Sequence, residues 1–281
     1  MIYLLADLHG DFRIFTKSVR KQSKYQLTKN DCVIILGDFG LGMSDNKEFE
    51  YNCKWLSSLP CTILFIDGDY ENYDMLARYP VETWHGGKVH HIVKDKIIHL
   101  MRGQIFCIEN FSFFVMGGAV SYDIEGGLLN RSDTDLERKK ALAQKSNLNY
   151  RTVGENWWSQ ELPSQREYAE GLRNLAKADF KVDFILSHCT PKAQQEILIE
   201  QGELKRKLEV SSLTEYFEYL DEQVSYKHWF SGHVHKDAVM DVKHTVVYQQ
   251  LVPLNKLAAL MQIILQDAME MEIKEKYGNT D

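Results

Sequence analysis

Asp7 and His9 in D-L-H, Asp38 in G-D, Asp69 in D-G-D-Y, His188 in S-H-C-T-P, and His233 and His235 in G-H-V-H set carboxylates and imidazoles in five short motifs. Taken singly, each has a bland reading. Asp caps turns, Gly-Asp after a strand is ordinary turn chemistry, and a lone His before a Pro-started helix is a satisfied turn residue. Two histidines at alternating spacing just beyond a strand say more, because together they can grip one or two metal ions. The conjunction is what points to chemistry. A dinuclear metal centre needs roughly six to eight donors, one of them a bridging carboxylate. Here every donor is an Asp or a His at the end of an apolar run.

Those runs must position the donors. In the first quarter, short apolar stretches (Ile2 to Ala6, Val33 to Leu36, Ile63 to Ile66) alternate with longer amphipathic ones, the signature of β-α-β units. Each run ends in a polar, Gly-bearing turn, and in open α/β sheets ligands collect at the carboxyl ends of strands. If strand alternation persists through D-L-H, Asp7 and His9 face the same side. From Lys88 to Gly118 four short strands follow without helices, a meander that predicts a second sheet packed on the first. Residues 121 to 163 read as a charged, cap-like insertion with a solvated helix in R-S-D-T-D-L-E-R-K-K-A-L-A-Q-K. A helix over Ser164 to Ala178, strands ending at His188 and at S-G-H-V-H, and a helical or extended tail from Leu257 to Lys274 complete one domain over 1–281.

Composition narrows the function class. With 281 residues, 44% of them hydrophobic, the chain can bury a large core. The net charge of −7 disfavours long nucleic acid as a partner, because phosphate backbones are held through Lys and Arg. Five cysteines, an odd number without C-x-x-C spacing, fit reduced thiols in a cytoplasm better than a disulfide framework. No window approaches the roughly 18 to 20 apolar residues of a membrane span.

In their order, D-L-H, G-D, a modified G-N-H-E, S-H and G-H-V-H resemble the calcineurin-like metallophosphoesterase superfamily. The resemblance covers residue 1 to about 250. It implies an α/β, four-layer α-β-β-α sandwich of two mixed sheets, with a binuclear metal centre at the strand ends. Carried over motif by motif, Asp7, His9 and His235 would hold one ion and His188 and His233 the other. Asp38 would bridge them, and Asp69 would stand in the place of an Asn ligand to the second. The implied activity is hydrolysis of phosphomonoesters or phosphodiesters by a metal-bridging hydroxide, on a phosphorylated small molecule or a phosphoprotein. Mixed oxygen and nitrogen donors suit Mn first, with Fe or Zn as alternatives, over Ca.

The departure is at Asp69 and Tyr70, where the resembled pattern has Asn and His. In that family the His helps protonate the leaving group, so Tyr70 occupies a catalytic position with a phenol of unperturbed pKa near 10. Asp69 brings a formal charge expected to weaken the second ion as a Lewis acid. These changes leave a second reading open, a weakened or inactive member that holds metal and a phosphorylated ligand as a sensor or scaffold. Restoring both residues is expected to raise turnover of alkyl phosphates. Arg102 and Arg131 are the substrate-facing candidates. Trp157 and Trp158 are expected to anchor the insertion, and Glu71 and Asn72 to start the next helix.

Overall fold

The computed structural model describes residues 1–19, 26–43, 45–204 and 209–255. The tail from Leu257 to Lys274 lies outside these. The first sheet begins with three parallel strands, β1 (Ile2–Leu5), β2 (Cys32–Leu36) and β3 (Thr62–Ile66). It continues through the hairpin pair β4 (Val81–Trp84) and β5 (Gly87–Val93) and through β6 (Ile97–Leu100), which lies parallel to β3. The second sheet is built from β7 (Gln104–Ile108), β8 (Phe111–Met116), β11 (Phe184–Ser187), β12 (His228–Ser231), β13 (Ala238–Val239) and β14 (His244–Val246). Between them in sequence, the short parallel pair β9 (Leu128–Leu129) and β10 (Arg151–Thr152) belongs to the insertion, and β15 (Val252–Pro253) returns to the free edge of β1.

The expected meander therefore divides. β5 and β6 extend the first sheet and only β7 and β8 begin the second. A run of short strands carries no mark of where the chain leaves one sheet for the next, since both halves alternate alike.

Alternation within each strand explains the four layers. Leu4, Ala6, Ile34, Leu36, Leu64 and Ile66 face Phe113, Val115, Phe184, Leu186 and Phe230 in one core between the sheets. Their neighbours Tyr3, Leu5, Val33, Ile35, Ile63 and Phe65 face outward under α1 (Arg13–Val19), α2 (Asn46–Ser57) and α3 (Tyr73–Leu76). Phe114, Met116, Ile185 and Trp229 do the same under α5 (Gln165–Lys177) and α7 (Ser212–Gln223). Strands covered on both faces read as continuous apolar runs, which is how the sequence shows them. α4 (Leu136–Lys145) forms the helix expected in the insertion, and α6 (Lys192–Glu200) starts directly after Pro191.

The two ends of the insertion are clasped by one buried carboxyl. Glu161 accepts hydrogen bonds from the Ser121 hydroxyl and backbone N–H. Burial, helped by the Asp69 charge and opposed by the Ser121 hydrogen bond, pushes its pKa up to about 7. A carboxyl raised in the fold contributes stability that is complete below its unfolded pKa and is lost as pH rises through 7. Glu161→Gln is therefore expected to raise unfolding free energy at pH 8 by about 2–3 kcal/mol, and by under about 1 kcal/mol at pH 5. Denaturant unfolding of both chains at the two pH values checks this.

Candidate metal centre

Five loops at the carboxyl ends of β1, β2, β3, β11 and β12 bring the seven predicted side chains together. Asp7, His9, Asp38 and His235 form one group and Asp69, His188 and His233 a second, and the donor atoms within each lie within 4.8 Å of one another. The separations are 3.0 Å for His9 Nε2 to His235 Nε2, 3.6 Å for His235 Nε2 to Asp7 Oδ1, and 3.6 Å for His9 Nε2 to Asp38 Oδ2. In the second group His188 Nε2 and His233 Nδ1 lie 3.2 and 3.1 Å from Asp69 Oδ1. Asp38 touches both groups, because its Oδ1 is 3.4 Å from His188 Nε2.

The aim of these side chains does not come from strand alternation. β1 has ended before Asp7, and Asp7, His9, Asp38, His233 and His235 all have positive φ, between 47° and 70°. Non-glycine residues rarely adopt that region, and where they do the surrounding fold must hold them there. The glycines of the motifs answer to the same crowding. A Cβ on Gly68 would lie 2.1 Å from Asp38 Oδ1, and one on Gly37, at φ +86°, would enter the His188 ring.

Buried partners orient the rings. His188 Nδ1 donates to the Leu36 carbonyl at 2.7 Å, which turns Nε2, the nitrogen that would ligate a metal, toward Asp38 and Asp69. His233 turns Nδ1 toward Asp69 and Nε2 toward the Glu209 carboxylate, 3.5 Å away. The Asp7 carboxylate accepts from the His233 backbone N–H. Glu71 does not merely lead into a helix. It is buried, accepts from Phe39 N at 2.7 Å, and so ties the β3 loop to the β2 loop, while Asn72 caps α3 as expected.

The donor set fits divalent ions. Ligands about 2.0–2.2 Å from a shared ion stand roughly 3 to 3.6 Å apart, which is the spacing of the pairs above. Three carboxylates, Asp7, Asp38 and Asp69, are buried side by side, an arrangement that requires compensating positive charge. Burial, with the nearby Asp38 charge and against the pull of His188 and His233, pushes the Asp7 carboxyl up to about 7. Two facing imidazole nitrogens at 3.0 Å are likewise served by a shared cation.

A sequence model of the family described as calcineurin-like phosphoesterase matches residues 1–237. The chain belongs to the calcineurin-like phosphoesterase family. No curated protein matches it. Among solved structures it is similar to the phosphopantetheinyl hydrolase from Mycobacterium tuberculosis, at 13% identity and a TM-score of 0.41, over 88% of this chain and 89% of that one.

Within this calcineurin-like phosphoesterase, both proposed substrate arginines are placed elsewhere. Arg102 is buried, with Nε donating to Asp67 Oδ2 at 2.6 Å and Nη2 to the Tyr73 hydroxyl and the Gln160 carbonyl. His99 Nε2 closes the cluster 3.1 Å from Asp67, so Arg102 is a strut beneath the β3 loop, its Nε and Nη2 hydrogen-bonded within the fold. Losing one partner strands a buried charge, and Arg102→Met is expected to cost about 3–5 kcal/mol in denaturant unfolding. Arg131 lies exposed and paired with Glu155 at 2.9 Å inside the insertion. The arginine that reaches the centre is Arg151, on β10. Nothing in the sequence separated it from Arg131 and Arg138 of the same charged stretch, and Glu209 was equally hidden, because both act through contacts distant in sequence.

Tyr70 stands at the rim. Its ring lies edge-on to His9 at 5.2 Å and beneath the Arg151 guanidinium at 5.7 Å, while its backbone N–H donates to Asp38 Oδ1 at 2.7 Å. Burial raises its phenol above 10, Arg151 opposing. Tyr122 meets His233 at 5.4 Å and Tyr248 stacks on His235 at 5.2 Å, so three phenol rings border the candidate ligands. His90, His91 and His99, which follow this loop in the sequence, are buried, and His90 Nδ1 is hydrogen-bonded to His99 Nδ1 at 3.1 Å behind the loop. Trp158 anchors the insertion as expected, with Nε1 donating to Asp74.

Proposed function

We propose that this chain is a metal-dependent phosphoesterase, with Asp7, His9, Asp38 and His235 holding one divalent ion and Asp38, Asp69, His188 and His233 a second. The observation that carries the reading is Asp38, a buried carboxylate whose two oxygens face the two donor groups. Bound there, divalent ions polarise a phosphoryl group and lower the pKa of a water. Mn is the favoured ion, with Fe or Zn as alternatives. The protein's part is placement. Leu36 and Glu209 fix the histidine rings, and the left-handed loops aim the donors at one another.

Leaving-group preference follows from Tyr70. A phenol raised above its ordinary pKa is a poor proton donor at neutral pH, so esters whose leaving group departs as a stable anion are turned over best. The tyrosine rim supports an aryl-bearing substrate, small or on a phosphoprotein, by offering ring faces and edges at the mouth. The insertion 121–163 acts as a cap joined to the single domain through Arg151. Five free cysteines support a cytoplasmic setting, and among the described residues no helix is long and apolar enough to cross a membrane. The second reading, a weakened member that holds a phosphorylated ligand, is favoured by Tyr70 for alkyl esters alone. The test is hydrolysis of p-nitrophenyl phosphate and its bis ester with Mn²⁺, Zn²⁺ or Mg²⁺. Turnover with any of these supports the enzyme, and tight metal binding without turnover supports the ligand-holding protein.

A further inference from the structure

The Asp69 carboxylate is divided between two environments. Oδ1 faces His188 and His233, while Oδ2 accepts from Arg151 Nη2 at 2.8 Å and the Asp69 carbonyl accepts from Arg151 Nη1 at 2.7 Å. Arg151 is itself nearly buried, its side chain 6% exposed, and Nε is held by Asp123 Oδ1 at 2.7 Å. A planar guanidinium meeting both a carboxylate and the carbonyl of one residue is a geometry that Lys cannot reproduce.

We infer that Arg151 is a positioning residue of the cap that takes up the Asp69 charge, so that Asp69 presents one oxygen to the second ion as a neutral amide would. The inference rests on the reading of Asp69, His188 and His233 as ligands of that ion. It means that Asp69 does not depress the centre's attraction for phosphate, and that the cap and the ligand set are matched to each other. The ring of Tyr70, beneath the same guanidinium, is positioned by the same contact.

A double-mutant cycle tests it, with Mn²⁺ binding followed by calorimetry and inorganic phosphate as a second probe on the loaded protein. Arg151→Gln unmasks a full carboxylate, so Mn²⁺ is expected to bind about tenfold more tightly and phosphate about tenfold more weakly. Asp69→Asn strands the Arg151 charge beside the ion, and Mn²⁺ is expected to bind about tenfold more weakly. The double variant is expected to return to within about threefold of the wild type for both probes, a rescue that a merely structural arginine would not produce. Weaker Mn²⁺ binding in Arg151→Gln, or a double variant that stays about tenfold or more from the wild type for either probe, overturns the inference. An unchanged Mn²⁺ affinity in Asp69→Asn also overturns it, and does so even where Arg151→Gln fails to fold. Wild-type protein that takes up no Mn²⁺ refutes the metal-centre reading itself, whereas normal uptake without the return of the double variant refutes the role of Arg151 alone.

Discussion

Asp38→Asn is expected to abolish phosphoester hydrolysis, lowering turnover by at least about 10⁴-fold, and to reduce bound metal from two ions per chain toward one. The magnitude follows from the reaction. A divalent ion at a developing phosphoryl charge supplies several kcal/mol, and about 5–6 kcal/mol of lost transition-state stabilisation is about 10⁴ in rate. Asn keeps the shape and one oxygen but removes the charge that lies between His9 on one side and His188 on the other. It also keeps an acceptor for the Tyr70 backbone N–H, so a folding defect is not the expected cause. Steady-state rates with p-nitrophenyl phosphate, together with elemental analysis of the purified variant, check both halves. Unchanged turnover with unchanged metal would remove Asp38 from the bridge.

Tyr70→His carries the second large effect, in the opposite direction. A general acid in reach of the leaving oxygen is worth about 10² to 10⁴ in rate, most for alkyl alcohols and least for phenols that leave as anions. The variant is therefore expected to gain turnover of that order on an alkyl phosphate and to change little on p-nitrophenyl phosphate. The sequence alone suggested changing Asp69 and Tyr70 together. The Arg151 contact separates them, because Asp69→Asn would leave a guanidinium without its carboxylate next to the donor set. A comparable gain on both esters would show that Tyr70 limits something other than protonation of the leaving group.

Much of the architecture was legible because it rests on local patterns. The apolar runs ending at Leu36, Ile66 and Ser187 had to be strands buried on both faces, and the Ser164 capping box marked the start of α5. The seven donors were legible for a related reason, since each sits just past such a run and the five motifs keep their order. Other features depend on contacts that no local pattern encodes. The division of the meander between sheets depends on β6 pairing with β3, and alternation within β6 is the same whichever neighbour it finds. Asp7 and His9 were expected on one side through continued strand geometry; the structure instead turns both through left-handed φ. Arg102 was a substrate-facing candidate, yet it folds back onto Asp67. Arg151 offers no motif at all. Its role exists only once the insertion is folded against the loop after β3.

The dependence on Arg151 also alters the weight of the two functional readings. The charge at Asp69 and the phenol at Tyr70 together favoured a protein that holds a ligand without efficient turnover. With the Asp69 charge paired at 2.8 Å, the phenol alone remains, and in the proposed enzyme it would restrict the leaving group without removing the donor set.

The central claim is a two-ion hydrolytic centre built on Asp38, and metal titration of chelator-treated wild-type protein, with hydrolysis of p-nitrophenyl phosphate and its bis ester followed at each step, tests it most directly. Uptake of two divalent ions per chain is expected, with hydrolysis absent from the stripped protein and complete when the second site fills. A chain that binds no ion, or that hydrolyses either ester equally well when stripped, would contradict it.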